Sequence, residues 1–316
     1  MRTIKKVASH IFIDGFGGMT QGLFATLIIG TMIQQIGLLI GGSTGNVIYL
    51  LGKAAAALTS AGIGVGVAVK YGECPLVTVS AAVAAMVGGY AGKITGGTFF
   101  VDGNAVLAGP GEPLGAFIAA FAGITCGHLV SGKTKVDIIV TPVITIGAGS
   151  VVGLLVGPPI SQMMTGLGSI INWATEQRPF IMGIVVSVVM GMVLTLPISS
   201  AALGIILNLS GLAAGAATIG CCCNMVGFAV ASYRENKFGG LVAQGLGTSM
   251  LQVPNIMRHP LIWLPVIFSS AILGPVSTII ANMQNNATGS GMGSAGLVGQ
   301  ITTYQIMIAY DDPKLV

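Results

Sequence analysis

The stretch PFIMGIVVSVVMGMVLTLPISSAALGIIL (residues 179–207) carries no charged side chain from end to end, and only Pro197 interrupts its apolar run. A helix needs roughly 20 apolar residues to cross the hydrocarbon of a bilayer. This stretch is long enough to do so, and it predicts an integral membrane protein.

The rest of the chain has the same character. Of its 316 residues, 53% are hydrophobic and only 7% are charged, and the mean hydropathy is +0.90. Soluble domains carry about a quarter of their residues as charges. A chain of this length holds roughly eight to ten crossings. We therefore predict one all-α, polytopic membrane domain over residues 1–316, with no soluble module.

Three segments depart from a plain spanning pattern. Residues 3–13 (TIKKVASHIFI) are amphipathic, which indicates a helix lying on the membrane face. Residues 94–113 and 208–253 are interrupted by small and turn-forming residues yet carry few charges, and we predict that they are re-entrant. Lipid tolerates broken helices only where protein or a cavity surrounds the freed backbone groups, and such breaks are typical of transporters.

Acidic residues at membrane depth are the first candidates for a site. Glu73, Glu112 and Glu176 each have a helix-breaking proline close by at the edge of an apolar segment. An ionisable group held in the membrane is costly, and it is by default a functional hypothesis. Each of these glutamates could also have a purely structural role at a helix boundary.

Glu112 is the sharpest case because Gly109-Pro-Gly-Glu-Pro113 cannot form a regular helix. The helix that follows offers unpaired N–H donors beside the carboxylate. This arrangement predicts a site for polyol hydroxyls or for a coupling proton, and the alternative is a helix cap in a wet loop. Glu176 has the same logic, with an ion pair to Arg178 as its alternative.

Four uncharged or weakly basic residues complete the predicted substrate site. Asn224 lies in a segment too small and polar for lipid, and Gln21 and Gln244 each follow a glycine-rich stretch. Membrane glutamines often merely bond neighbouring helices. His128 is a candidate for proton relay or sugar contact, although such a histidine often bonds a backbone carbonyl.

Several kinds of chemistry have no motif here. The chain has no nucleotide-binding loop, no nucleophile elbow, no metal-spaced His/Cys set and no basic-aromatic surface. We therefore predict no enzyme activity, no cofactor, no metal and no nucleic-acid partner. The consecutive Cys221, Cys222 and Cys223 are interpreted as small packing residues, with a tuned pocket or a redox role as the alternative.

Long stretches of the sequence also resemble a known family. They resemble the membrane IIC component of phosphoenolpyruvate-dependent sugar phosphotransferase systems, most closely its stand-alone PfoR-like subgroup. The segments that carry the resemblance are GGMTQGLFATLIIGTMIQQIG (17–37), GPGEPLGA (109–116), GPPIS (157–161), ATEQRPFIMGIVVSVVMGMVLTLPISSAAL (174–203), GLAAGAATIGCCCNMVGFAV (211–230), ENKFGGLVAQGLGTSMLQVPNI (235–256) and GSAGLVGQ (293–300).

The resemblance implies an all-helical homodimer in the bacterial cytoplasmic membrane, with a substrate site enclosed by re-entrant hairpins in each protomer. It also implies an acidic residue on such a hairpin that binds sugar hydroxyls. Glu112 and Glu176 fit that description best. Phosphoryl transfer would need separate IIA and IIB proteins.

Three hypotheses for the function stay open at this point. The first is a permease that moves a small polar solute, such as a sugar, by alternating access. The second is an ion-coupled secondary transporter of a small organic anion, with a glutamate as the proton or cation site. The third is a membrane sensor or regulator.

Overall fold

The computed structural model describes most of the chain, namely residues 14–101, 103–107, 109 and 111–311. The amphipathic helix expected over 3–13 lies outside these described residues. The chain divides into two compact units, Met1–Met163 and Met164–Val316.

In its described part, the first unit consists of helices joined by short turns and of one antiparallel hairpin. In chain order its elements are α1 (Phe16–Ile40), α2 (Gly42–Ala57), α3 (Thr59–Lys70), α4 (Pro75–Gly89), α5 (Ala91–Thr95), β1 (Phe100–Val101), β2 (Asn104–Ala105), α6 (Pro113–Val130) and α7 (Asp137–Thr175), which continues into the second unit. Phe100 pairs with Ala105 in the hairpin.

Glycines bring α3, α4 and α6 into backbone contact. A Cβ added to Gly64 on α3 would lie 2.4 Å from the carbonyl oxygen of Ala81 on α4. One added to Gly88 on α4 would lie 2.4 Å from the carbonyl oxygen of Gly115 on α6. Close approach through small residues replaces the hydrophobic effect as the source of helix association in lipid. These three helices form a tight bundle.

The described part of the second unit is also helical. After the end of α7, its elements are α8 (Pro179–Thr195), α9 (Ser200–Ile206), α10 (Gly211–Ala231), α11 (Tyr233–Val242), α12 (Val253–Arg258), α13 (Leu264–Pro275), α14 (Ala287–Ser290) and α15 (Val298–Asp311). A π turn (Ala243–Gly247) and a 3₁₀ turn (Ser249–Gln252) link α11 to α12.

Helices of membrane-spanning length confirm the predicted all-α polytopic architecture. Five described helices are long and apolar enough to cross a bilayer, and α2 with α3 makes a sixth if this bent pair is one span. The apolar helices α4 and α8 are shorter, at 15 and 17 residues. Within the described residues, the number of full-length spans is below the expected eight to ten, because several apolar runs form short or bent helices.

Residues 208–253, which we predict to be re-entrant, contain both regular and irregular helix. Gly211–Ala231 is one continuous helix of 21 residues. Its small residues serve packing rather than breaks, since a Cβ on Gly220 would lie 1.9 Å from the carbonyl oxygen of Ser187 on α8. The following stretch is irregular, with Lys237 at φ 52° inside α11.

A second irregular stretch, between α13 and α15, was not among the predicted re-entrant segments. Residues 289–296 are all buried, and Asn282 and Gly293 have φ values of 46° and 51°. The side chain of Asn285 donates to Thr218 Oγ1 at 2.8 Å and to Thr303 Oγ1 at 2.9 Å. Buried non-helical backbone of this kind is accommodated because protein surrounds it.

Candidate functional site

The bend between α2 and α3 forms one wall of the candidate site in the first unit. The two helices meet at Leu58 with a change of direction of 52°. Thr59 Oγ1 donates to the carbonyl oxygen of Ala56 at 2.6 Å, which accommodates the break. Ser60, in the first turn of α3, is fully buried. The break therefore places a hydroxyl group inside the unit.

Glu112 lies at the start of α6, where Pro113 is the first helical residue. Its backbone N–H donates to the carbonyl oxygen of Gly89, at the end of α4, at 2.7 Å. The side chain makes no capping hydrogen bond to α6, and its Oε1 atom is buried. Glu112 is therefore a half-buried residue at a helix start, with one carboxylate oxygen buried and no side-chain hydrogen bond that caps α6.

Two glycines leave room for the Ser60 side chain beside the backbone that leads into Glu112. A Cβ on Gly89 would lie 2.2 Å from Ser60 Oγ, and one on Gly111 would lie 2.4 Å from it. Gly111 also has φ +76°, which side-chain-bearing residues rarely adopt. Together with Tyr90, which caps the C-terminal end of α4, these residues define the Glu112 site: Ser60, Gly89, Tyr90, Gly111 and Glu112.

The chemistry available at the Glu112 site suits a neutral polar ligand. A carboxylate accepts hydrogen bonds from hydroxyl groups, and the first turn of α6 presents backbone N–H donors that have no partner within the helix. Ser60 adds a hydroxyl that both donates and accepts. In the described part of the chain, no group of three or more His, Cys, Asp or Glu side chains could hold a metal ion.

His128 lies at the other end of α6 from Glu112. Its Nδ1 atom lies 3.0 Å from Glu73 Oε1 and 3.2 Å from Oε2, with the histidine side chain 71% exposed and the glutamate 10%. At 1.5 Å per residue, the two ends of the helix are roughly 24 Å apart. The predicted roles of His128 and Glu112 therefore belong to two separate places.

The Glu73–His128 pair lies at the far end of the same three-helix bundle. Cys74 Sγ lies 3.2 Å from Ser131 Oγ one turn away. Close by in sequence, burial and then the charge of Asp14 raise the pKa of Tyr71 to about 12. This end therefore has polar contacts of its own, away from the Glu112 site.

Gln21 and Glu176 are both exposed. Gln21 lies on α1 between buried Thr20 and Gly22, so it is on the outer side of that helix. Glu176 follows the end of α7, and among the described residues its carboxylate has no ion pair with Arg178.

Asn224 is the centre of a buried polar network in the second unit. Its Oδ1 atom accepts from Thr195 Oγ1 and from Trp263 Nε1, both at 3.2 Å. Its Nδ2 atom donates to the carbonyl oxygen of Gly220 at 3.1 Å and to Ser270 Oγ at 3.2 Å. With all four hydrogen-bonding positions occupied, Asn224 ties α10 to α8 and α13.

Gln244 belongs to a second polar chain in the same unit. Its Nε2 atom donates to Ser232 Oγ at 2.8 Å, and its Oε1 atom accepts from Gln252 at 2.9 Å. Gln252 in turn accepts from Asn255 at 2.8 Å. The two networks share one 3₁₀ turn, because Ser249 in that turn lies 2.9 Å from Thr195.

Of the six predicted site residues, Gln21, Glu112 and His128 belong to the first unit, where Gln21 and His128 are exposed and Glu112 has a buried carboxylate oxygen. In the second unit, Glu176 is exposed, while Asn224 and Gln244 are buried in hydrogen-bond networks that share the 3₁₀ turn Ser249–Gln252. Ser60 and Tyr90 adjoin Glu112 but were not predicted. No local pattern marks either residue as part of a site, because their contacts with the Glu112 loop join segments that are distant in sequence.

The fold is typical of one class of protein. Broken helix ends within an all-α polytopic membrane protein are common in membrane transport proteins. Residues 13–312 match the sequence profile of the family described as Phosphotransferase system, EIIC, and the chain belongs to this family. The match is to the family as a whole, so membership of the PfoR-like subgroup stays a prediction. No curated protein is similar enough to this chain to count as a relative.

Proposed function

We propose that this EIIC permease binds and moves a sugar or sugar-like polyol, and that the Glu112 carboxylate accepts hydrogen bonds from its hydroxyl groups. The observation that carries the proposal is the position of Glu112, with Oε1 buried at the start of α6 and close to a buried serine. Carboxylates accept hydrogen bonds from hydroxyls strongly, because the acceptor is charged.

The family and the chain's composition extend the proposal to its setting. The protein resides in the bacterial cytoplasmic membrane as a homodimer and works with separate IIA and IIB proteins, which supply the phosphoryl group. Glu176, Gln21, Asn224, Gln244 and His128 stay candidates for secondary roles. Asn224 and Gln244 are the best placed of them, because both are buried.

Ligand binding by the purified protein tests the proposal. A panel of hexoses, disaccharides, hexitols and sugar acids is first screened for thermal stabilisation, and each stabilising compound is then titrated. Removing one charged partner from a buried hydrogen bond costs about 1.5–3 kcal/mol. Glu112→Gln should therefore weaken binding of the stabilising sugar by about tenfold or more.

The matched control is Glu235→Gln, which neutralises an exposed glutamate on α11. It should leave the affinity unchanged. Equal affinity of Glu112→Gln and the parent protein for every stabilising sugar would overturn the role of Glu112. Stabilisation by sugar acids alone would favour the organic-anion alternative.

A further inference from the structure

Tyr90 is among the largest fully buried side chains of the described chain, with 1% of its surface exposed. It follows the last residue of α4 and ends that helix. A buried tyrosine needs a hydrogen-bond acceptor for its hydroxyl, since leaving that group unpaired is costly. The acceptors that it uses decide what the residue does.

The hydroxyl group of Tyr90 joins two segments of the Glu112 site. It donates to the carbonyl oxygen of Gly109, three residues before Glu112. The carbonyl oxygen of Ala57, at the end of α2, lies 3.4 Å from the same hydroxyl. One phenol thus holds the loop before Glu112 against the bend between α2 and α3.

The ring of Tyr90 holds the other end of the same segment. Phe99 packs on it with the ring centroids 5.4 Å apart, and Lys93 Nζ lies over the ring at 5.4 Å from its centroid. The N–H groups of Thr98 and Phe99 donate to the carbonyl oxygen of Lys93 at 2.9 and 3.1 Å. The base of the β-hairpin is therefore packed against the same side chain.

From these contacts we propose that Tyr90 is the positioning residue of the Glu112 site. It fastens both ends of the segment 96–112, through its ring at the hairpin base and through its hydroxyl at the Glu112 loop. The inference rests on the proposed function of Glu112 for its consequence in binding. The fastening itself is a physical property that can be measured without any ligand.

Hydrogen–deuterium exchange of the purified protein tests the fastening. Tyr90→Phe keeps the ring and removes only the hydroxyl, so the fold should persist with little change in melting temperature. A net hydrogen bond is worth about 1 kcal/mol, which corresponds to roughly fivefold in an opening equilibrium. The Glu112 amide, bonded to Gly89 O, should therefore exchange about fivefold faster, and the hairpin amide of Val106 should change less.

Tyr90→Leu removes the ring as well, so exchange should then rise at Val106 too. The matched control is Tyr71→Phe, which removes the hydroxyl of a half-buried tyrosine that follows α3. This control should leave exchange across 96–112 as in the parent protein. Unchanged exchange at Glu112 in Tyr90→Phe would overturn the proposal, as would equal effects of Tyr90→Phe and Tyr71→Phe.

Sugar binding separates this inference from the proposed function. If Glu112→Gln binds the stabilising sugar as tightly as the parent does, the proposed function fails whatever the exchange data give. If Glu112→Gln loses binding while Tyr90→Phe keeps both parental affinity and parental exchange, only the positioning role fails. We expect both variants to bind the stabilising sugar more weakly, and only Tyr90→Phe to show faster hydrogen–deuterium exchange.

Discussion

Gly111, in the Glu112 site, is restricted both by its backbone conformation and by the close approach of a neighbouring side chain. It has φ +76°, and an added Cβ would lie 2.4 Å from Ser60 Oγ. Gly111→Ala should therefore incur the strain of a left-handed residue, about 1–2 kcal/mol, and a steric clash on top of it. We expect a clearly lower melting temperature and loss of sugar binding.

Gly72 offers a control that separates the two constraints. Its φ is +73°, but nothing lies within 4 Å of the position of an added Cβ. Gly72→Ala should show the backbone strain alone, and Ser60→Ala should recover part of the loss in Gly111→Ala. Equal melting temperatures for the two alanine variants would mean that Ser60 does not restrict Gly111.

The sequence predicts what chemistry a single residue can do better than it predicts whether its side chain faces inward or outward. The sequence marks Glu112 as a candidate because neighbouring prolines and glycines forbid a helix, and that local signal does not depend on the rest of the fold. His128 and Gln21 sit on continuous helices, where residue type leaves open which side faces inward. Tyr90 could not be predicted as a site residue, because its partners Ala57 and Gly109 are distant in sequence.

At the scale of elements, α7 packs through residues spaced four apart. Thr141, Thr145, Gly149, Gly153 and Gly157 are all buried. Added Cβ atoms on the last three would meet α4, α6 or Ala91, at the start of α5, within 2.6–2.8 Å. Because residues four apart are neighbours on a helix surface, they form one continuous stripe that winds slowly around the helix. This stripe is the seam that holds α7 to the first unit.

Gly153→Leu tests the seam. An added Cβ there would lie 2.8 Å from Gly88 Cα, so a leucine has no room without moving a backbone. Overpacking of this kind costs about 1–3 kcal/mol or more. We expect a lower melting temperature and a smaller monodisperse fraction in size-exclusion chromatography.

Gly147→Leu on the same helix is the control, because nothing lies within 4 Å of its added Cβ. This variant should behave as the parent protein does. If both leucine variants lower the melting temperature equally, helix propensity or lipid exposure, and not the seam, explains the loss.

Helices and breaks of similar composition could not be told apart from the sequence. Small residues in α10 led to the expectation of a broken segment, yet there they permit close contact along an intact helix. The irregular stretch 282–297, buried throughout 289–296, has a similar composition and is broken. Glycine content alone cannot separate these two cases, because both need room for a neighbouring backbone, and only the neighbours differ.

For the whole molecule, composition was sufficient for the class of fold. With 7% charged residues the chain cannot cover a water-exposed surface, and apolar runs of helix-spanning length select helices as the way to satisfy its backbone hydrogen bonds in lipid. The family match spans residues 13–312 and hence nearly all of both units. Neither the composition nor the family match identifies the source of energy for transport, because that source depends on partners and gradients outside the chain.

The energy source must therefore be tested on the whole protein in a bilayer, and we predict that it is phosphoryl transfer. If phosphoryl transfer from a IIB protein drives uptake, proteoliposomes should accumulate the stabilising sugar as its phosphate only when phosphorylated IIB is enclosed with them. A proton or sodium gradient without IIB should give no accumulation, because nothing then traps the solute. The parent protein and Glu112→Gln are compared by uptake of the radiolabelled sugar, with empty liposomes as the baseline. Accumulation that follows an ion gradient and ignores IIB would instead assign the chain to ion-coupled transport, and Glu112 would then be the first residue to test as the coupling site.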